Sequence, residues 1–88
     1  MIFEWDENKN NILQKERDIS FEQIVFALEN DKLISIMPSP SPKHPNQKCF
    51  VVNIDEYAYI VPYVEDSEKI FLKTIYASRK FTKKFLKG

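Results

Sequence analysis

Residues 73–88 carry Lys73, Arg79, Lys80, Lys83, Lys84 and Lys87 with no acid among them, a local charge of +6. A planar guanidinium fork beside a row of ammonium groups suits phosphate oxygens, so this stretch is a candidate polyanion surface. The rest of the chain compensates. Residues 1–31 hold eight acids against three bases, residues 32–72 hold five against four, and the net charge is zero. A neutral chain with one strongly basic end is polarised. Basic runs often do no more than solvate a helix. The junction Ala77-Ser78-Arg79 argues for more, because the pattern predicts that a strand turns into a helix there.

Other chemistries find few residues. One histidine, His44, and one cysteine, Cys49, give no spacing that gathers three or four metal ligands, and neither a metal nor a cofactor is expected. The single glycine, Gly88, excludes a glycine-built phosphate loop. A Ser-His-acid arrangement would need His44, which falls in a proline-rich stretch. Cys49 lies in an apolar run and reads as a buried thiol. Metal-free cleavage of RNA fits what remains. The substrate's own 2′-hydroxyl attacks, and the protein positions the phosphate, neutralises its developing charge and moves protons. The catalytic candidates are Arg79, Lys73, Tyr63 and Ser78, with Tyr76 as a second tyrosine able to donate a proton or stack on a base. Lys48, Lys80, Lys83 and Lys84 are the RNA-binding candidates.

These residues need a frame. Eighty-eight residues suit one domain. At 43 % hydrophobic residues the chain can fill a core, and 14 % aromatic residues leave some rings for a binding face. The N-terminus lacks the basic start and long apolar run of a signal peptide, and no stretch approaches the ~20 apolar residues of a membrane span. A cytoplasmic location is expected.

Residues 2–5 read as a short extended segment ended by Asp6, a helix N-cap. A weakly amphipathic helix over 7–15 follows. Ser20 and Gln23 then form a capping box, and Ile19 and Ile24 occupy the positions of a hydrophobic staple. Phe21, Ile24, Val25 and Leu28 lie on one face of this second helix. Strands are predicted over 33–37, 49–54, 57–64 and 70–76. Four prolines within 38–45 mark a loop. The last three strands form an antiparallel meander, and 70–76 alternates Ile70, Leu72, Thr74 and Tyr76 against Phe71, Lys73 and Ile75. Ser78 caps a short basic helix in which Phe81 and Phe85 dock. The expected class is α+β: a four-stranded antiparallel sheet plus the N-terminal segment, with two helices on one face and the other face open.

Three stretches carry a resemblance. Phe3-Glu4-Trp5-Asp6-Glu7-Asn8-Lys9, Ile19-Ser20-Phe21-Glu22 and Ala77-Ser78-Arg79-Lys80-Phe81-Thr82-Lys83-Lys84 resemble, in order and spacing, landmarks of the BrnT family of type II toxins. The resemblance implies a RelE/ParE-like fold and a metal-independent endoribonuclease that inhibits translation. It also implies an antitoxin partner of ribbon-helix-helix type, and operator DNA contacted only through that antitoxin. The alternatives are a non-catalytic module acting with its antitoxin as a corepressor, and a ParE-like topoisomerase inhibitor. The chain departs from the family where Lys-His-Gly is usual: it has Glu16-Arg17-Asp18. Phe85 stands at the family's closing glutamate, and Lys48 at an arginine common ahead of the central strand. With Arg17 in the histidine's place, RNA cleavage is expected to lack an inflection near the imidazole pKa of about 6.5, with His44 dispensable.

Overall fold

The computed structural model describes residues 2–38 and 47–86. Pro38, expected to begin the proline loop, instead pairs with Lys48 as the end of a strand; residues 39–46, with His44, and Lys87 lie outside the described residues. The elements run β1 (Ile2–Glu4), α1 (Glu7–Arg17), α2 (Phe21–Glu29), β2 (Leu33–Pro38), β3 (Lys48–Ile54), β4 (Tyr57–Glu65), β5 (Lys69–Leu72), β6 (Tyr76–Ala77) and α3 (Arg79–Phe81). α3 continues as a π-helical segment, Thr82–Leu86. The class is α+β, as expected.

The sheet is mixed rather than antiparallel. Its order is β1-β5-β4-β3-β2, with β6 also on β4. β1 pairs parallel to β5, matching Ile2 with Lys69 and Glu4 with Phe71. A three-residue strand offers little signal of its own, and the partner of a parallel strand is remote in sequence. The meander is present. β3 and β4 meet through a turn at Asp55-Glu56, both left-handed at φ 52° and 64°. The Asn53 side chain supports that turn by accepting from the Glu56 N–H at 2.9 Å. β4 and β5 are joined through Asp66, whose carboxylate accepts from the N–H groups of Glu68 and Lys69, both at 2.9 Å. Those bonds, to Glu68 first and Lys69 second, hold its carboxyl below the usual range.

The predicted strand 70–76 is broken in two. Pro62, in the middle of β4, has no N–H, and a residue's N–H and C=O point to the same side of an extended chain. On that side its carbonyl accepts from the Lys73 N–H at 2.8 Å, after which pairing to β4 lapses until Tyr76. The interruption shifts the alternation, so Ile75 joins Ile70 and Leu72 in the core instead of facing away from them.

The helices form as their caps dictate. Asp6 accepts from the N–H groups of Asn8 and Lys9, and Ser20 with Gln23 closes the expected capping box. α1 and α2 cover the face carrying Phe50, Val52, Val61 and Leu72. Leu13, Ile19, Phe21 and Ile24 descend into that core, and Trp5 stacks on Phe21 at 5.6 Å.

Asn10 ties the two helices and gave no sequence signal. It is wholly buried; its Oδ1 accepts from the Phe21 N–H at 2.8 Å and its Nδ2 donates to Glu22 at 2.7 Å. Asn10→Ala strands a buried N–H and is expected to cost about 1–3 kcal/mol, read by urea denaturation. A loss within about 0.5 kcal/mol, the scale of a neutral surface change, would show that the two helices do not depend on it.

The sheet's second face is partly covered, against the expectation of an open one. Cys49, Val51, Ala58 and Ile60 point to this face and are buried, and Phe81 of α3 lines a cavity of about 60 Å³ with Cys49, Val51 and Ile60. The C-terminal helical segment therefore lies opposite α1 and α2.

Candidate nucleic-acid interface

The basic segment is positioned by a short set of polar contacts. β6 places Ala77 opposite Tyr59, and the Ser78 N–H donates to the Ala58 carbonyl at 2.9 Å. Ser78 is extended, at φ −129° and ψ 108°, and its hydroxyl accepts from the Phe81 N–H at 3.1 Å. That is the expected N-cap. Thr82 completes the anchor: its hydroxyl donates to the Ser78 carbonyl at 2.7 Å and accepts from the Ala58 N–H at 2.8 Å. The sequence reading missed Thr82, which is 2 % exposed. A threonine four residues after a helix cap, within an otherwise basic run, was the available signal.

Arg79, Lys80, Lys83 and Lys84 are exposed on this segment, and Lys73 is exposed in the link between β5 and β6. None of the five is ion-paired among the described residues, whose salt bridges are Lys48–Glu65 and Lys69–Glu4, each 3.8 Å. Each of three lysines instead lies against a ring. The Nζ of Lys73 sits 5.6 Å from the Phe71 centroid, that of Lys80 5.9 Å from Phe81, and that of Lys84 5.4 Å from Phe85. Such contacts are weak at exposed sites, about 0.5–1 kcal/mol, and leave the charge available. Phe81 and Phe85 meet at 5.7 Å, but Phe85 is 38 % exposed and docks only in part.

Three candidates have other placements. Tyr63 is 3 % exposed and stacks on Phe50 at 4.0 Å with the rings 9° apart. Burial pushes its hydroxyl pKa up, with the charges of Glu65 and Cys49 adding to it. Tyr63 is thus a core residue. Lys48 projects on the same side of β3 as Phe50 and Val52, the side under α1 and α2, and is paired with Glu65. It stands apart from the basic segment. The Ser78 hydroxyl accepts from the Phe81 N–H as the cap, so its structural task is to orient the helix. Arg17, at the C-terminal end of α1, donates from Nη1 to the Ile75 carbonyl at 2.9 Å. It braces the interrupted strand, a role no spacing rule indicated.

Tyr76, the second tyrosine candidate, is placed differently. It is half-buried in β6, two residues before the cap, and burial raises its pKa, with Cys49 as a smaller cause. A protonated tyrosine there can donate a proton or a hydrogen bond. Burial also raises the Cys49 thiol. All three groups hold their protons more tightly folded than unfolded. The native state therefore binds more protons in the alkaline range, and stability falls as pH rises. Their contribution is complete below the ordinary values, about 8.5 for cysteine and about 10 for tyrosine, and is lost through the raised ones. Urea midpoints are expected to fall from about pH 8 to about pH 11, less steeply in Tyr63→Phe. A midpoint that stays level or rises would refute this linkage.

No family model, no curated protein and no solved structure matches this chain. Among the described residues no helix is long and apolar enough to cross a membrane.

Proposed function

We propose that this chain is a toxin of a type II toxin–antitoxin pair, a RelE/ParE-like endoribonuclease that cleaves RNA without a metal and thereby inhibits translation. The observation that carries the reading is the basic surface at the strand-to-helix junction: five exposed cations with no carboxylate in ion-pair reach among the described residues. Arg79 lies immediately after the cap and binds the scissile or adjacent phosphate. The lysines supply affinity. Tyr76 is the candidate proton donor.

Local geometry supports the BrnT resemblance in two places. Where the family reads glycine, Asp18 has a left-handed φ of 56°, the conformation that favours glycine. Where it reads histidine, Arg17 reaches the link that carries Lys73, so position 17 borders the basic stretch. In the cytoplasm an antitoxin with an acidic or extended segment would cover the cations and stabilise the toxin by linkage.

The experiment is incubation of the purified chain with a single-stranded RNA in the presence of EDTA. Cleavage into fragments ending in 2′,3′-cyclic phosphate is the expected result, since the 2′-hydroxyl is the nucleophile. Intact RNA that is nonetheless bound would favour the second reading, a non-catalytic corepressor of the same fold. Two observations favour that reading: Tyr63 is buried, and Arg17 stands where the family has histidine, which leaves fewer groups to move protons.

A further inference from the structure

On the face of the sheet opposite the basic helix, α2 and the β3–β4 turn border a cleft of about 410 Å³. Glu22, Gln23, Phe26, Lys32, Ile54 and Asp55 are among the residues that line it. Phe26 is 68 % exposed, more than any other large apolar side chain among the described residues. The buried stripe of α2 is Phe21, Ile24 and Ala27, so the Phe26 ring lies off the face that packs on the sheet. An aromatic ring in water beside a concavity is what protein interfaces use as an anchor.

The rim is acidic. Glu22 and Asp55 line the cleft, Glu29 ends α2, Asp31 precedes Lys32, and Glu56 follows Asp55 in the turn; all five carboxylates are exposed. Lys32 is the one cation in this group, and none of the five carboxylates is ion-paired among the described residues. Complementary chemistry exists in the chain itself. The C-terminal segment presents Arg79, Lys80, Lys83 and Lys84 around the part-exposed Phe85. It packs on the other face of the sheet through Phe81 and Thr82, so the sheet separates it from the cleft of its own molecule.

We propose that the cleft docks the basic C-terminal helix of a second copy, Phe85 meeting Phe26 and the lysines meeting the rim carboxylates. One molecule contributes its cleft and the next its helix, a head-to-tail contact that closes into a ring or continues as a chain. The zero net charge means that whole molecules do not repel one another. Docking buries the cations assigned above to RNA, so assembly and RNA binding exclude each other. The proposal needs those cations exposed and does not depend on RNA cleavage.

Sedimentation velocity on the purified full chain tests it. At about 0.01 M salt, where charges act over about 30 Å, mean mass should rise with concentration; at about 1 M, where they act over about 3 Å, it should return to the monomer. Phe26→Ser and the triple variant Lys80→Glu, Lys83→Glu, Lys84→Glu should each weaken association at least about tenfold, with thermal midpoints confirming that both are folded. Each variant keeps one intact surface, so an equimolar mixture should give a dimer and nothing larger. Phe26→Lys, which places a cation in the cleft, should also be monomeric. A wild type that stays monomeric at low salt would overturn the proposal and leave the cleft to another occupant. So would association that survives both Phe26 changes, or a mixture that forms no dimer. Failure of the RNA assay with head-to-tail assembly intact would sink only the functional reading.

Discussion

Arg79→Ala is expected to abolish growth arrest and to lower RNA cleavage about 10²–10³-fold, the scale of losing a donor aimed at developing phosphate charge. Arg79 is exposed, follows the Ser78 cap, and has no ion-pair partner among the described residues. Its removal should therefore leave stability within about 0.5 kcal/mol, as at other surface positions without special contacts. Arg79→Lys should also lose much of the activity, because an ammonium restores charge but not the fork that engages two oxygens. A uniform loss in both variants would mark a geometric role. Retention in lysine alone would mark attraction only. If purified Arg79→Ala keeps its thermal midpoint and still arrests growth at matched expression, Arg79 is not the phosphate ligand.

The parts of this fold that could be read from the chain are those fixed by local chemistry. Asp6, Ser20 and Ser78 cap helices because a short oxygen side chain can reach the free N–H groups of the first turn, and neighbouring residues decide that outcome. The β3–β4 and β4–β5 connections followed from short acidic links between apolar runs. What could not be read depends on remote partners. Nothing in Ile2-Phe3-Glu4 specifies β5 as its neighbour, and nothing in Asn10 announces the Phe21 N–H that it satisfies. Pro62 was visible, but its effect appears only once β4 is known to lie between β3 and β5, where the missing N–H opens the sheet and brings Ile75 inward.

The candidate site divides along the same line. Exposed charge follows composition, so Arg79, Lys80, Lys83, Lys84 and Lys73 were recoverable from a run without acids. Tyr63 was misjudged because residue type does not reveal which face of a strand is buried. Tyr63 pairs with Lys48 across β3 and β4, at one end of the layer under the helices. There the tyrosine fills the core and the lysine is left at its margin. Thr82 was passed over because a threonine in a basic helix reads as solvent-facing, whereas its hydroxyl is the bolt that fastens the helix to Ala58. Through that bond the segment carrying Arg79, Lys80, Lys83 and Lys84 is held on the sheet.

Phe21→Ala carries the largest expected loss of stability. The ring is fully buried, stacks on Trp5 at 5.6 Å, and sits in the cluster with Leu13, Ile24 and the β3–β4 side chains. Truncating a buried phenylalanine costs about 3–5 kcal/mol through lost transfer energy and the cavity left behind. A domain of this size has about 5–15 kcal/mol in total, so the variant should lose a large share of its stability. The effect should spread beyond α2. Phe21 gives its N–H to Asn10 of α1 and its ring to Trp5, which follows β1, so strand, both helices and sheet should lose structure together. Hydrogen exchange measured by residue distinguishes the cases. Exchange that quickens in β1, α1, α2 and the β3–β4 core alike is the expected pattern. Fast exchange confined to α1 and α2, with the sheet still protected, would mean that the sheet stands without them. The basic segment, whose anchor lies on the sheet's other face, could then keep its position while the first face unfolds.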